Sequence, residues 1–125
     1  MILLTIDEIL ELHRKLIFRT GGSAGVRDKG LLESAVFSAY GGFGDEEIYP
    51  SVEEKSARLA FSLICNHSFV DGNKRIGVVV MLVTLKLNNV ALQYTQEELA
   101  RLGLSVADGS AGYDEILKWI KEHKV

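Results

Sequence analysis

A single cysteine and a single proline set the first limits on this 125-residue chain. One cysteine, Cys65, cannot form an internal disulfide, so the fold needs no oxidising compartment. Its place in an apolar run predicts a buried core thiol. The sequence has no proline-rich linker, no repeat and no low-complexity tract. It has no long apolar run either. The longest, Val78 to Val83, is far too short to cross a bilayer. The N-terminus MILLTIDEIL reaches acid at Asp7 and Glu8 and lacks the positive segment of a signal peptide. Surplus positive charge is also missing. With a net charge of −3, nothing global points to nucleic acid or an anionic membrane. A cytoplasmic location is the expectation. No cysteine–histidine cluster has zinc spacing.

What is present is apolar residue, about half the chain, enough to bury one core. The length fits one domain, residues 1–125. The periodicity predicts an all-α fold. Thr5 and Glu8 have capping-box spacing, and the helix they open runs to Gly21 and Gly22. Ile6, Ile9, Leu10, Leu12, Leu16 and Ile17 form its apolar face. A second helix spans about Leu31 to Tyr40. Ser51 and Glu54 open a third, ending near His67. Asn73 to Asn88 is apolar nearly all round, which marks a central helix packed by others. Thr95 and Glu98 open another, to about Ala107, and a last helix runs from about Tyr113 to Glu122. Val90–Tyr94, or part of Gly41–Pro50, has room for a short extended segment. Trp119 shares a face with Ile116 and Ile120 and is expected in the core. His13 and His123 read as solvated helix residues.

One stretch differs from its neighbours: His67-Ser68-Phe69-Val70-Asp71-Gly72-Asn73-Lys74-Arg75. It places an imidazole, a carboxylate, an amide and two cations at the start of the most apolar helix. Helix N-termini bind anions through free N–H groups and the positive end of the dipole. Gly72 lets backbone approach a ligand, and Arg75 can grip phosphate oxygens bidentately. Asp71 is a hard oxygen ligand suited to Mg²⁺. A histidine is the side chain that most readily takes a proton near neutral pH. An ordinary turn with Asp71 or Asn73 as a cap is the plainer reading. Two cations in a first turn oppose the dipole, however, and a bound anion relieves that mismatch.

HSFVDGNKR resembles the signature of the Fic superfamily, H-P-F-x-[D/E]-G-N-G-R-x-x-R. The flanking LLESAVFSAYGGFGDEEIYPSVEEKSARLAFSLICN and the following apolar helix resemble the death-on-curing (Doc) branch, so the likeness covers nearly the whole chain. It implies a Fic-like helical bundle. It implies His67 as catalytic base, Phe69 as a buried anchor, and Asp71 as the magnesium ligand. Gly72, Asn73 and Arg75 become the phosphate nest, and Gly41 to Tyr49 a flap that holds a target peptide. Ser68 replaces the signature's proline, and Val78 its second arginine. Lys74 replaces the glycine of adenylyl-transferring members. The death-on-curing branch shares this lysine.

Three readings of function are open, the first two implied by the resemblance. In the favoured one, the nucleotide lies reversed and the γ-phosphate of ATP passes to a hydroxyl of a target protein. The implied target is a threonine of elongation factor Tu, and the outcome is arrest of translation by a toxin. The alternatives are an adenylyl or other nucleotidyl transferase, disfavoured by Lys74 and Val78, and a non-catalytic binding module. Self-silencing members carry [S/T]-x-x-x-E-[G/N]. Here no glutamate is followed by glycine or asparagine. An antitoxin protein that docks a helix on the toxin is therefore the implied partner.

Overall fold

The computed structural model describes residues 1–43 and 46–125. Among them are six helices: α1 (Ile6–Thr20), α2 (Lys29–Tyr40), α3 (Val52–Asn66), α4 (Asn73–Leu87), α5 (Gln96–Ala107) and α6 (Tyr113–His123). The all-α expectation holds. Capping boxes at Thr5/Glu8, Ser51/Glu54 and Thr95/Glu98 start α1, α3 and α5, with both reciprocal bonds formed in each. Helix α2 begins two residues before the expected Leu31. The Asp28 side chain accepts from Leu31 N and so fixes the first turn further upstream.

The centre of the fold is a pair, α3 and α4, rather than one helix. Helix α3 touches α2, α4, α5 and α6, while α4 touches α1, α3 and α5. One buried cluster joins Ile9, Leu32, Leu59, Leu63, Ile76 and Val80. A second joins Ala60, Ile64, Met81, Val106, Ile116 and Ile120. Both clusters draw on α3 and α4, which therefore divide and support the two halves of the core. Gly77 lets the two helices meet. A Cβ there would stand 2.5 Å from Ile64 Cγ1 and 3.1 Å from the Ala60 carbonyl.

Two extended features accompany the helices. Between α2 and α3, β1 (Gly42–Phe43) pairs antiparallel with β2 (Glu46–Glu47). The expected flap, Gly41 to Tyr49, is thus a hairpin, although positions 44 and 45 lie outside the described residues. The buried Lys55 amine sits 3.6 Å from the Glu47 carboxylate and ties β2 to α3. Val90–Tyr94 contributes one bridge, between Leu92 and Lys124.

Three expectations from the sequence need correction. Cys65 is exposed, not a core thiol. It lies on the outward side of α3, seven residues past Arg58, whereas Ala57, Ala60 and Ile64 turn inward. His13 is buried, only 1% exposed. His123 is half-buried and stacks on Trp119, with ring centres 4.1 Å apart. Trp119 is half-buried beside the α5–α6 core, between His123 and Tyr94.

His123 also closes the chain's C-terminal end. Its Nε2 lies 2.8 Å from Glu98 Oε2 and its Nδ1 lies 2.7 Å from the Trp119 carbonyl. Both partners accept, so both ring nitrogens donate and the ring is held as imidazolium. The bond to Glu98, then the Trp119 carbonyl, raises the His123 pKa above its ordinary 6.5. His123 leads the influences that lower Glu98 to about 2. A raised histidine pKa adds stability below the ordinary value and loses it as pH climbs through the folded value. A lowered carboxylate pKa adds stability above its ordinary value and loses it as pH falls. The pair therefore acts between these limits. Glu98→Gln keeps the cap on α5 but removes the charge. Its Tm deficit should be largest at about pH 5–6 and smallest near about pH 9 in thermal unfolding. A deficit independent of pH would remove the ion pair from the account.

Candidate active site

The loop from His67 to Gly72 joins the two central helices and is held from three directions. His67 ends α3 in the left-handed region, with φ 55° and ψ 49°. A non-glycine residue there is strained unless its surroundings hold it. Arg27, in the α1–α2 connection, supplies that hold. Its Nε donates to the His67 carbonyl at 2.6 Å and its Nη2 to the Asn66 carbonyl at 3.1 Å. These are orphan acceptors at a helix C-terminus, where a cation is favoured. The Arg27 and Asp28 amides both donate to the Ser68 carbonyl, at 2.8 and 2.9 Å. Ser68 is buried, and its hydroxyl donates to Asn66 Oδ1 at 2.6 Å.

From within the loop, Asn73 closes a reciprocal pair with Phe69. Phe69 N donates to Asn73 Oδ1 at 3.0 Å, and Asn73 Nδ2 donates to the Phe69 carbonyl at 2.9 Å. The Asn73 side chain thus serves the loop, and what it offers an anion is its backbone N–H. Phe69 is buried as expected, at 1% exposure. From α1, His13 stacks on Phe69 with ring centres 3.7 Å apart and donates from Nε2 to the Asp71 carbonyl at 2.7 Å. Burial holds the His13 pKa below its ordinary value, against the opposing pull of that hydrogen bond.

This scaffold leaves the polar groups outward. His67, Asp71 and Lys74 are exposed and Arg75 is half-buried. Ser23 N donates to Asp71 Oδ2 at 2.9 Å and fixes the carboxylate. Arg75 Nη1 bonds Thr20 Oγ1 and the Gly21 carbonyl, which seats the guanidinium against the end of α1. Gly72, at φ 77°, is the N-cap of α4, and no side chain caps that helix. A Cβ on Gly72 would strain the backbone and stand 2.9 Å from Ile17 Cδ1. Each of the other five helices has a side-chain cap or acids in its first turn. Helix α4 has neither, and carries Lys74 and Arg75 instead. Its first N–H groups have no intrahelical acceptor. An anion is the group such an end accepts.

Beside Lys74 and Arg75 is a cavity of about 200 Å³ lined also by Val78, Leu99 and Gly103. A Cβ on Gly103 would stand 3.1 Å from Lys74 Cγ, so the lysine stem lies close against α5 at Gly103. A larger groove, about 730 Å³ and lined by Ile6, Val36, Phe37 and Tyr40, includes none of the loop residues. Chemistry rather than volume therefore locates the site. No group of three or more potential metal ligands occurs among the described residues. Asp71 nonetheless fits Mg²⁺, which usually takes one or two carboxylates and completes its shell with water and substrate phosphates. Among the described residues, no helix is long and apolar enough to cross a membrane.

Sequence reasoning missed His13, Arg27 and Ser23. For His13 the signal was present: Ile9, His13 and Ile17 lie four apart on one stripe. Arg27 and Ser23 act through loop geometry that no periodicity reveals.

Fold and loop together define an all-α chain in which one of the two central helices, α4, offers a bare N-terminus suited to an anion. The chain belongs to the Fic/DOC family, whose sequence model matches residues 3–85. It is similar to Toxin Doc of Mycolicibacterium smegmatis, with 40% identity over 72 residues, 58% of this chain and 55% of that protein. The chain thus spans about half the length of that relative. It is also similar to Protein kinase doc of Escherichia phage P1, with 30% identity over 110 residues, 88% of this chain and 86% of that one.

The reciprocal Asn73–Phe69 pair is the loop's own brace. Asn73→Ala would leave the amide and carbonyl of a buried residue without partners. The expected cost is about 1–3 kcal/mol, measured by urea unfolding. A midpoint equal to the wild type would show that the brace is dispensable.

Proposed function

We propose that the chain is a toxin of a toxin–antitoxin pair that transfers the γ-phosphate of ATP to a hydroxyl of a target protein. The observation that carries this reading is the uncapped N-terminus of α4, armed with Lys74 and Arg75. The names of the two relatives, one a toxin and one a protein kinase, support it. The target is a threonine, with elongation factor Tu the protein the resemblance implies, and the outcome is arrest of translation. The setting is the cytoplasm, and an antitoxin protein is the partner.

The residues divide the work. His67 takes the proton from the target hydroxyl. That oxygen bonds to the γ-phosphorus as the bond from the γ-phosphorus to its bridging oxygen breaks, and ADP leaves. Lys74, Arg75 and the N–H groups of Gly72 and Asn73 hold the phosphate oxygens and spread the charge that builds on them. Asp71 would hold Mg²⁺ against the phosphates, and the ion supplies positive charge there. The lysine favours γ-transfer because its stem fills space beside Arg75 that an adenylyl-transferring pose would need. Nucleotidyl transfer is the runner-up on the same residues.

Incubation with target and ATP labelled at the γ or the α position separates these readings. The γ label should appear on the target, and His67→Ala should lower the rate by about 10²–10⁴-fold. An α-labelled target would make the enzyme a nucleotidyl transferase. No label from either position would make the domain a binding module.

A further inference from the structure

We propose that His13 is a positioning residue that aims the backbone N–H of Gly72 at the bound phosphate. The inference rests on the reading of the loop as a phosphate site and adds a residue from α1 that the resemblance does not assign. Of the chain's three histidines, only His13 is buried, at 1% exposure. Among the described residues, its side chain's one hydrogen bond is with the loop, Nε2 to the Asp71 carbonyl at 2.7 Å. A carbonyl only accepts, so Nε2 carries the proton.

The consequence follows from peptide geometry. The Asp71–Gly72 peptide is trans, as are all others among the described residues. In a trans peptide the C=O and N–H point to opposite sides. His13 draws the carbonyl inward to α1, so the Gly72 N–H faces outward. Gly72 is left-handed, at φ 77° and ψ 19°, and Asn73 opens a right-handed helix. Successive residues of opposite hand turn their N–H groups to one concave face, a nest that binds anions. Among the described residues, no acceptor pairs with the Gly72 N–H. The His13 Nε2 lies 3.5 Å from where a Gly72 Cβ would stand, as does Arg75 Nη2. The imidazole thus supports the nest from below while the guanidinium borders it.

Packing under Phe69 is the other job His13 performs, and two substitutions separate the jobs. His13→Phe keeps the stacked ring and loses the donor. His13→Gln keeps a donor at the Nε2 position and loses the ring. Binding of ATP with magnesium chloride is measured by titration calorimetry, and folding by Tm. If the donor aims the nest, His13→Phe, folded at the assay temperature by its Tm, weakens ATP binding about ten-fold. His13→Gln then binds within about two-fold of wild type despite a lower Tm. Wild-type affinity in His13→Phe, or equal loss in both variants, would overturn the proposal and leave the phosphotransfer reading standing. Failure of the wild type to bind ATP would overturn both. A measurement on the wild type alone covers the case of a variant that does not fold. Inorganic phosphate should shift the Gly72 amide resonance, and an unmoved resonance at saturation would sink the idea.

Discussion

Everything at the site depends on where one helix begins. Helix α4 is packed on three sides by α1, α3 and α5, so its axis is fixed by the core. Its N-terminus can therefore be left bare without fraying, because burial along Ile76, Val80 and Met81 supplies the stability that a cap would otherwise add. A surface helix with a glycine N-cap and two cations in its first turn would be a poor helix. Here that weakness is placed at the end of one of the two central helices, where it becomes a fixed set of donors for an anion.

The loop before α4 shows how the rest of the fold converges on that end. Arg27 holds the His67 carbonyl, the 27 and 28 amides hold Ser68, Asn73 holds Phe69, and His13 holds Asp71. Most of the backbone between the central helices is thus tied, while His67, Asp71 and Lys74 keep their side chains exposed. Pre-ordered donors and charges need no rearrangement at the moment of reaction, and this is where catalytic electrostatics gain most. The helices bring a rigid frame and the loop brings chemistry, a common division in enzymes.

Much of this was legible in the sequence. Capping boxes fixed three helix starts because their signal is local: two residues three apart that satisfy each other's backbone. The polar loop stood out because its cations oppose the dipole of the helix that follows. What stayed hidden is tertiary. His13 reads as an ordinary helix histidine until the packing of α1 brings it under Phe69. Cys65 reads as core because its neighbours are apolar, yet α3 turns it outward. The pairing of α3 with α4 depends on Gly77 lying against Ile64, a contact no window of residues contains. Asn73 carries a family motif, but only the fold shows that its side chain braces Phe69.

The central claim is that the N-terminus of α4 receives the phosphates of a nucleotide. Its most direct test is a crystal structure of the chain with magnesium and a non-hydrolysable ATP analogue. The account predicts triphosphate oxygens on the N–H groups of Gly72 and Asn73, Arg75 beside them, and the metal on Asp71. A triphosphate bound elsewhere, such as in the groove lined by Ile6 and Phe37, would contradict it.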